Sequence, residues 1–308
     1  MSDAIIIDVK NLRKSFDERV VVNDINLSVR RGEVFGFLGP NGSGKTTTIR
    51  MLCGLLTPDG GSGHCLGFDI RTQSENIRMH VGYMTQKFSL YTDLSVEENL
   101  RFVARIFGVD NREARIRDTL EDLGLFERRH QLTRHLSGGW KQRLALSACL
   151  LHNPDVLLLD EPTAGVDPIA RREFWDKIHA LSERGVTVFV STHYMDEAER
   201  CTRLAYLAYG DLIVTGTVDE VIAQTELVTW AISGRVTTAL LQAVRQIAGV
   251  AQAALFGSRI HVSGYEATTL EPVLHAFAST HKVSIERVPS SLEDAFISLV
   301  RASQGEKH

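Results

Sequence analysis

Residues 39–46 read Gly-Pro-Asn-Gly-Ser-Gly-Lys-Thr, the spacing G-x-x-x-x-G-K-[ST] of a turn that wraps around phosphate groups. A nucleoside triphosphate needs several backbone N–H groups converging on it, and only a glycine-rich turn brings backbone that close. A helix after the turn adds the positive end of its dipole. In this pattern Lys45 reaches the β- and γ-phosphates and the Thr46 hydroxyl binds Mg²⁺. Gly39, Pro40, Asn41, Gly42, Ser43, Gly44, Lys45, Thr46 and Thr47 are therefore the expected nucleotide-binding residues.

A second chemical group closes the apolar run Val156-Leu157-Leu158-Leu159 with Asp160-Glu161. Neighbouring carboxylates at a strand end repel and must be offset by cations, hydrogen bonds or solvent. A bound Mg²⁺ supplies that offset: Asp160 holds it, partly through water, while Glu161 faces the γ-phosphate and orients or deprotonates the attacking water. Either acid alone would serve equally well as a helix N-cap. Ser137-Gly138-Gly139 opens a third segment, a helix whose N-terminus is left bare, which is a second anion site or simply a flexible helix entry. Gln86 and His193 each follow a short apolar run.

These residues need elements to hold them. Val34–Leu38, Val81–Met84, Val156–Leu159 and Val186–Val190 read as buried strands separated by helical stretches, the mark of a parallel α/β sheet. Each runs directly into one of the polar segments, those of Lys45, Gln86, Asp160-Glu161 and His193. In open parallel sheets ligands bind beyond the carboxyl ends of the strands, so four distant regions are expected to converge on one edge. Thr46 to Leu56 reads as the helix after the phosphate turn, stopped by Thr57-Pro58-Asp59-Gly60. Residues 1 to about 30 read as an antiparallel strand pair. A mostly helical insertion occupies about 88–152, with a capping box at Ser95-Val96-Glu97-Glu98, a helix over Arg112 to Leu123 and another starting near Ser137. From 226 to 308 the order strand, helix, two strands, helix, strand, helix suggests a small β-α-β-β-α-β accessory unit.

Composition narrows the class. The chain has 308 residues, 44% of them hydrophobic and 23% charged, with a net charge of −4. Its basic residues come as scattered pairs such as Arg30-Arg31 and Arg171-Arg172, and a nucleic-acid partner would require a continuous basic stripe. The four cysteines have neither C-x-x-C nor zinc spacing, which with no signal-like N-terminus points to a reducing cytosol. No apolar run approaches the ~20 residues that span a bilayer. If the protein serves a membrane process, another chain does the crossing.

Leu136-Ser137-Gly138-Gly139-Trp140-Lys141-Gln142-Arg143 resembles the signature motif of ATP-binding cassette (ABC) ATPases, and the other motifs fall in that family's order over about residues 5–225. The resemblance implies a P-loop cassette over 1–225 with ATP and Mg²⁺ as ligands. It implies that Phe16, 29 positions before Lys45, stacks on adenine and that Val21 packs near the ribose. It makes Gln86 the Q-loop glutamine, counted with Thr46 and Asp160 among the Mg²⁺ ligands. Glu161 becomes the catalytic glutamate, Asp167 part of the D-loop in Ala164-Gly165-Val166-Asp167, and His193 the switch histidine at the γ-phosphate. Phe16 stands where Tyr is commoner, and Trp140 where the signature usually has Gln. In this family the signature of one copy completes the nucleotide site of another, so a dimer with an identical or paralogous cassette is expected.

Glu-Pro-Thr-Ala-Gly-Val-Asp-Pro (161–168) and the tail Pro289 to Phe296 resemble the drug-efflux, multidrug-type exporter branch, although an importer ATPase would share the catalytic residues. The resemblance therefore implies an ATPase peripheral to the cytoplasmic face of the membrane, coupled to an integral membrane permease on a separate chain. Lys87-Phe88-Ser89-Leu90-Tyr91 offers the coupling surface. The competing reading is a soluble, non-transport ABC ATPase acting on ribosomes or nucleic acid, and a third is a kinase that uses the same phosphate loop. Two cassettes or a long coiled coil would mark the second reading, and neither is present in the sequence. The kinase reading leaves 136–143 unexplained.

Overall fold

Alternating apolar residues build the first layer of the structure, a computed structural model that describes residues 4–305. Strands β1 (Ile5–Phe16) and β2 (Arg19–Arg30) pair antiparallel, with Val9 opposite Leu27 and Leu12 opposite Ile25. The buried side chains of these pairs belong to one core; Ile25 and Leu27 follow the period of two, whereas Val9 and Leu12, three residues apart, both reach it because the register shifts between them, with Asn11 at φ 52°. β4 (Gly60–Cys65) and β5 (Phe68–Asp69) extend this sheet in the order β2-β1-β4-β5.

The second sheet holds the chemistry. It contains β3 (Val34–Leu38), β6 (Val81–Met84), β7 (Val156–Asp160), β8 (Thr187–Thr192), β9 (Arg203–Ala208) and β10 (Asp211–Gly216), in the order β10-β9-β3-β8-β7-β6. The pairs β9/β3, β3/β8, β8/β7 and β7/β6 are all parallel. All residues of β3, β7 and β8 are buried, which is why they read as continuous apolar runs rather than alternating ones. The four strands expected from the sequence are adjacent in this sheet. β4, β5, β9 and β10 were not expected. β4 is Gly-Gly-Ser-Gly-His-Cys and carries almost no apolar signal.

Helix α1 (Lys45–Leu52) follows β3, and α2 (Ser74–His80) precedes β6. The helix expected to reach Leu56 ends at Leu52. Gly54 takes φ 69°, and the Leu55 and Leu56 N–H groups both donate to the Arg50 carbonyl at 2.9 and 3.0 Å, a glycine-terminated helix end. The insertion consists of α3 (Val96–Ile106), α4 (Arg112–Asp122) and α5 (Gly138–Leu150). α3 opens on the expected capping box: Glu98 N–H donates to Ser95 Oγ at 3.2 Å and Ser95 N–H to Glu98 Oε2 at 2.8 Å. Leu100, Ala104, Ile116, Leu120 and Leu144 form one core with Met84, Leu157 and Leu159 of the central sheet. α6 (Pro168–Glu183) and the single turn α7 (Met195–Ala198) complete this unit, which extends to Thr215.

A second compact unit starts at Gly216. It contains α8 (Val218–Gln224), β11 (Val228–Ser233), α9 (Thr238–Arg245), β12 (Gln252–Phe256), β13 (Arg259–Gly264), α10 (Ala267–His281), β14 (Ser284–Val288) and α11 (Leu292–Gly305). Its sheet has the order β12-β13-β11-β14 and is antiparallel throughout. Trp230, Ile232 and Val262 pack with Leu240, Val244, Leu270 and Leu274. α11 is tied in by polar contacts: Gln252 Nε2 donates to the Asp294 carbonyl at 2.8 Å, and His261 Nδ1 lies 3.3 Å from Asp294 Oδ2. Among the described residues, no helix is long and apolar enough to cross a membrane.

Candidate active site

The carboxyl ends of β3, β8, β7 and β6 lie side by side, with Leu38 level with Thr192, Asp160 with Ser191 and Met84 with Leu159. The segment leaving each strand brings one polar side chain to that edge. The phosphate turn after β3 bends through Gly42 at φ 79° and Gly44 at φ 109°. At Gly44 a Cβ would lie 2.5 Å from the Val21 carbonyl oxygen, so the turn fits against β2 only without a side chain there. Lys45 begins α1 and is 4% exposed. Its ammonium donates to the carbonyls of Gly39 at 2.9 Å and Pro40 at 3.2 Å, and stands 3.3 Å from Glu161 Oε1.

Glu161 is the centre of the site. It adopts φ 47°, a left-handed conformation that non-glycine residues take rarely and that gathers at functional positions. Its N–H points to Ser191, 3.0 Å from Oγ and 3.2 Å from the carbonyl oxygen. Its other carboxylate oxygen, Oε2, accepts from Gln86 Nε2 at 3.0 Å and lies 3.3 Å from His193 Nδ1. One carboxylate thus faces an ammonium, an amide and an imidazole drawn from three other strand ends.

Asp160 is 1% exposed. Ser191 Oγ donates to its Oδ1 at 2.7 Å, while Oδ2 finds no hydrogen-bond partner among the described residues, and the buried Ser43 Oγ is in the same condition. An orphaned carboxylate oxygen and an orphaned hydroxyl are hard, oxygen-type donors, the set that Mg²⁺ prefers. The residues fit a magnesium ion. Val21, Asn41, Gly42, Gly44, Lys45, Thr46, Thr47, Gln86 and Glu161 line a common cleft, so the expected Mg²⁺ ligands Thr46 and Gln86 border the space in front of Glu161.

The remaining expected residues stand elsewhere. Ser137 is the N-cap residue of α5 and makes no side-chain capping bond. A Cβ on Gly139 would lie 2.9 Å from Ala170 Cβ, and one on Gly138 would lie 3.7 Å from the Gly165 carbonyl oxygen. The signature and the 164–167 turn are therefore neighbours. Asp167 caps α6, accepting from the Ile169 and Ala170 N–H groups at 3.1 and 3.0 Å. The turn itself is joined to Glu161, whose carbonyl accepts from the Ala164 N–H at 3.1 Å, whereas no hydrogen bond or ion pair among the described residues joins Ser137, Gly138, Gly139 or Asp167 to Lys45 or to the Glu161 carboxylate. Phe16 is 47% exposed, with the Lys14 ammonium 5.6 Å from its ring centroid. Trp140 is flanked by two guanidinium groups, those of Arg128 at 4.6 Å and Arg143 at 4.8 Å.

Two participants escaped the sequence reading. Ser191 holds both Asp160 and Glu161, and its only signal is a polar Ser-Thr ending the apolar run Val-Phe-Val. Glu197 accepts from the hydroxyls of Thr163 and Thr192 and is 1% exposed. In sequence it is indistinguishable from the solvated acids around it.

Residues 22–164 match the family model described as ABC transporter. The chain is 49% identical over 221 residues to the "Probable multidrug ABC transporter ATP-binding protein YbhF" of Escherichia coli (strain K12), covering 71% of this chain but 38% of that relative. It is 43% identical over 220 residues to the "Nod factor export ATP-binding protein I" of Cupriavidus pinatubonensis, covering 70% and 68%. It is 32% identical over 305 residues to the "Linearmycin resistance ATP-binding protein LnrL" of Bacillus subtilis (strain 168), covering 96% and 98%. Among solved structures, "Structure of ATP binding subunit of ABC transporter" superimposes with a TM-score of 0.65 at 30% identity, covering 71% of this chain and 92% of that one.

Proposed function

This chain belongs to the ABC transporter ATPase family, and from that membership we propose that it is the ATP-binding and hydrolysing subunit of a multidrug-type exporter. The first compact unit is the cassette, which drives a membrane permease on a separate chain from a peripheral position at the cytoplasmic face, and the second, from Gly216 onward, is an accessory unit. The convergence of Lys45, Gln86 and His193 on the Glu161 carboxylate carries the reading. The names of three relatives, concerned with multidrug transport, Nod factor export and linearmycin resistance, support the direction of transport.

The residues divide the work as follows. The 39–47 turn and α1 present backbone N–H groups to the triphosphate, and the Lys45 ammonium supplies charge to the β- and γ-phosphates. Phe16 offers an exposed aromatic face to adenine and Val21 an apolar contact to the ribose. Thr46, Gln86 and Asp160 hold the magnesium ion, which offsets the negative charge on the phosphate oxygens when bound. Glu161 orients the attacking water and takes up its proton; His193 contacts the γ-phosphate. The signature residues Ser137, Gly138 and Gly139 lie beside the 164–170 segment that carries Asp167, and membership of the cassette family assigns the four to the nucleotide of a second cassette. ATP then closes a head-to-tail dimer, identical or paralogous, and hydrolysis reopens it.

Tyr91 and Phe102 form an edge-to-face pair at 5.1 Å and are 54% and 40% exposed, while Phe88 and Leu90, just before Tyr91 in the chain, pack against the core. An exposed aromatic patch at this place suits a protein partner, and we assign it to the permease. Affinity purification from detergent-solubilised membranes tests the assignment. A polytopic membrane protein is expected to co-elute, and to be lost in Tyr91→Ser/Phe102→Ser while ATP affinity is kept. Recovery of ribosomes or nucleic acid instead would overturn it.

A further inference from the structure

We propose that Glu197, on the single-turn helix α7, is a positioning residue that fixes the hydrolytic glutamate and the histidine relative to each other. The proposal rests on the roles given above to Glu161 and His193. Glu197 is 1% exposed although it sits in Met-Asp-Glu-Ala. A carboxylate is buried at this depth only when its charge and lone pairs are occupied.

Its two oxygens tie the two loops that bear the reacting side chains. Oε1 accepts from the Thr163 hydroxyl, two residues beyond Glu161, and Oε2 accepts from the Thr192 hydroxyl at 2.6 Å, one residue before His193. Thr192 Oγ1 in turn accepts from the Tyr194 N–H at 3.0 Å, closing the loop around His193. Charge compensation comes from α6, where Arg171 Nε lies 3.7 Å from Oε1. The same guanidinium covers the Tyr194 ring at 4.3 Å, and that ring lies against His193 with centroids 4.1 Å apart. One buried carboxylate therefore braces the Glu161 loop, the His193 loop and the helix capped by Asp167.

The geometry needs a carboxylate rather than any polar group. Both hydroxyls donate to Glu197. An amide has one acceptor oxygen, so one of the two hydroxyls would face an NH₂, could only accept from it and would lose the partner for its own proton, while Arg171 would face no charge. Glu197→Gln keeps the volume, reverses one of the two braces and removes the charge opposite Arg171, and Glu197→Ala removes both braces.

The test uses the full chain at concentrations above the ATP concentration, with phosphate release measured in a single turnover and affinity measured with a fluorescent ATP analogue. Glu197→Gln is expected to slow release by about ten- to a hundred-fold, as misplacement of reacting groups does, while nucleotide affinity stays within about two-fold because the Lys45 turn is untouched. Thr163→Val should reproduce the defect, and Thr163→Ser, which restores the hydroxyl, should recover most of the rate. Glu197→Ala is measured beside Glu197→Gln, and unchanged release in Glu197→Ala overturns the proposal. So does a parallel loss of rate, affinity and melting temperature, or a Thr163→Ser variant as slow as Thr163→Val, since these mark a merely structural part. Glu161→Gln is run beside them: if it hydrolyses at the wild-type rate, the role of Glu161 fails; if it is slow while Glu197→Ala is not, only the positioning role fails.

Discussion

The Lys45 ammonium lies 3.3 Å from Glu161 Oε1, with the two side chains 4% and 8% exposed. The phosphate-binding cation and the hydrolytic acid are thus partners in one buried contact, although 116 residues separate them in the chain. Lys45→Ala removes the cation that faces the triphosphate and leaves Glu161 without that counter-charge. Binding of a fluorescent ATP analogue is expected to fall below detection, while the folded state survives by circular dichroism. Retained affinity would contradict the assignment of the turn.

Hydrolysis and assembly should separate at Glu161. Glu161→Gln keeps the contact to Gln86 but can no longer take up a proton, so an ATP-closed dimer should accumulate. Sedimentation velocity with MgATP is expected to move the species from monomer to dimer in this variant and to return it on removal of nucleotide. A monomer at all concentrations would sink the head-to-tail arrangement.

The insertion offers a stability test away from the chemistry. Ser95 is 7% exposed and both arms of its capping box are formed. Ser95→Ala should cost about 1 kcal/mol, read as a fall of about 2–4 °C in melting temperature for a unit of this size. ATP affinity should be unaltered.

All four cysteines are free and buried. Burial pushes the thiols of Cys53, Cys65 and Cys149 up to about 12 and raises that of Cys201 as well. The reactive species is the thiolate, so raising the pH from 7 to 8 leaves the three at about one part in ten thousand ionised or less. Ellman's reagent is expected to label none of the four quickly in the native chain at pH 8 and all four in guanidinium. Rapid native labelling would show that these positions open.

Legibility in the sequence followed the strength of the local signal. Val156–Asp160 and Val34–Leu38 were readable because strands covered on both faces are apolar throughout, and the capping box at Ser95 because its two partners lie three residues apart. The β-α-β-β-α-β order of the second unit followed from alternation and turn chemistry. β4 was invisible: Gly61 and Gly63 are there because a Cβ would approach the backbone of β1 to 2.3 and 2.4 Å, and glycine reads as turn. Around the site, the residues that touch phosphate come in spaced patterns, whereas those that brace them do not. Ser191 and Glu197 act across 30 and 34 residues of chain, a separation that no local periodicity encodes.

Glu161 has one more consequence, which lies in its backbone. A left-handed residue with a side chain carries a cost of roughly 1 kcal/mol that glycine would avoid, and the φ of 47° here is held by the Ser191 contacts on its amide. Glycine at this position would relieve the backbone but would also strip the buried Lys45 ammonium of the carboxylate 3.3 Å away, so the two effects oppose each other. The strained dihedral persists because the side chain it carries balances a charge as well as serving the chemistry.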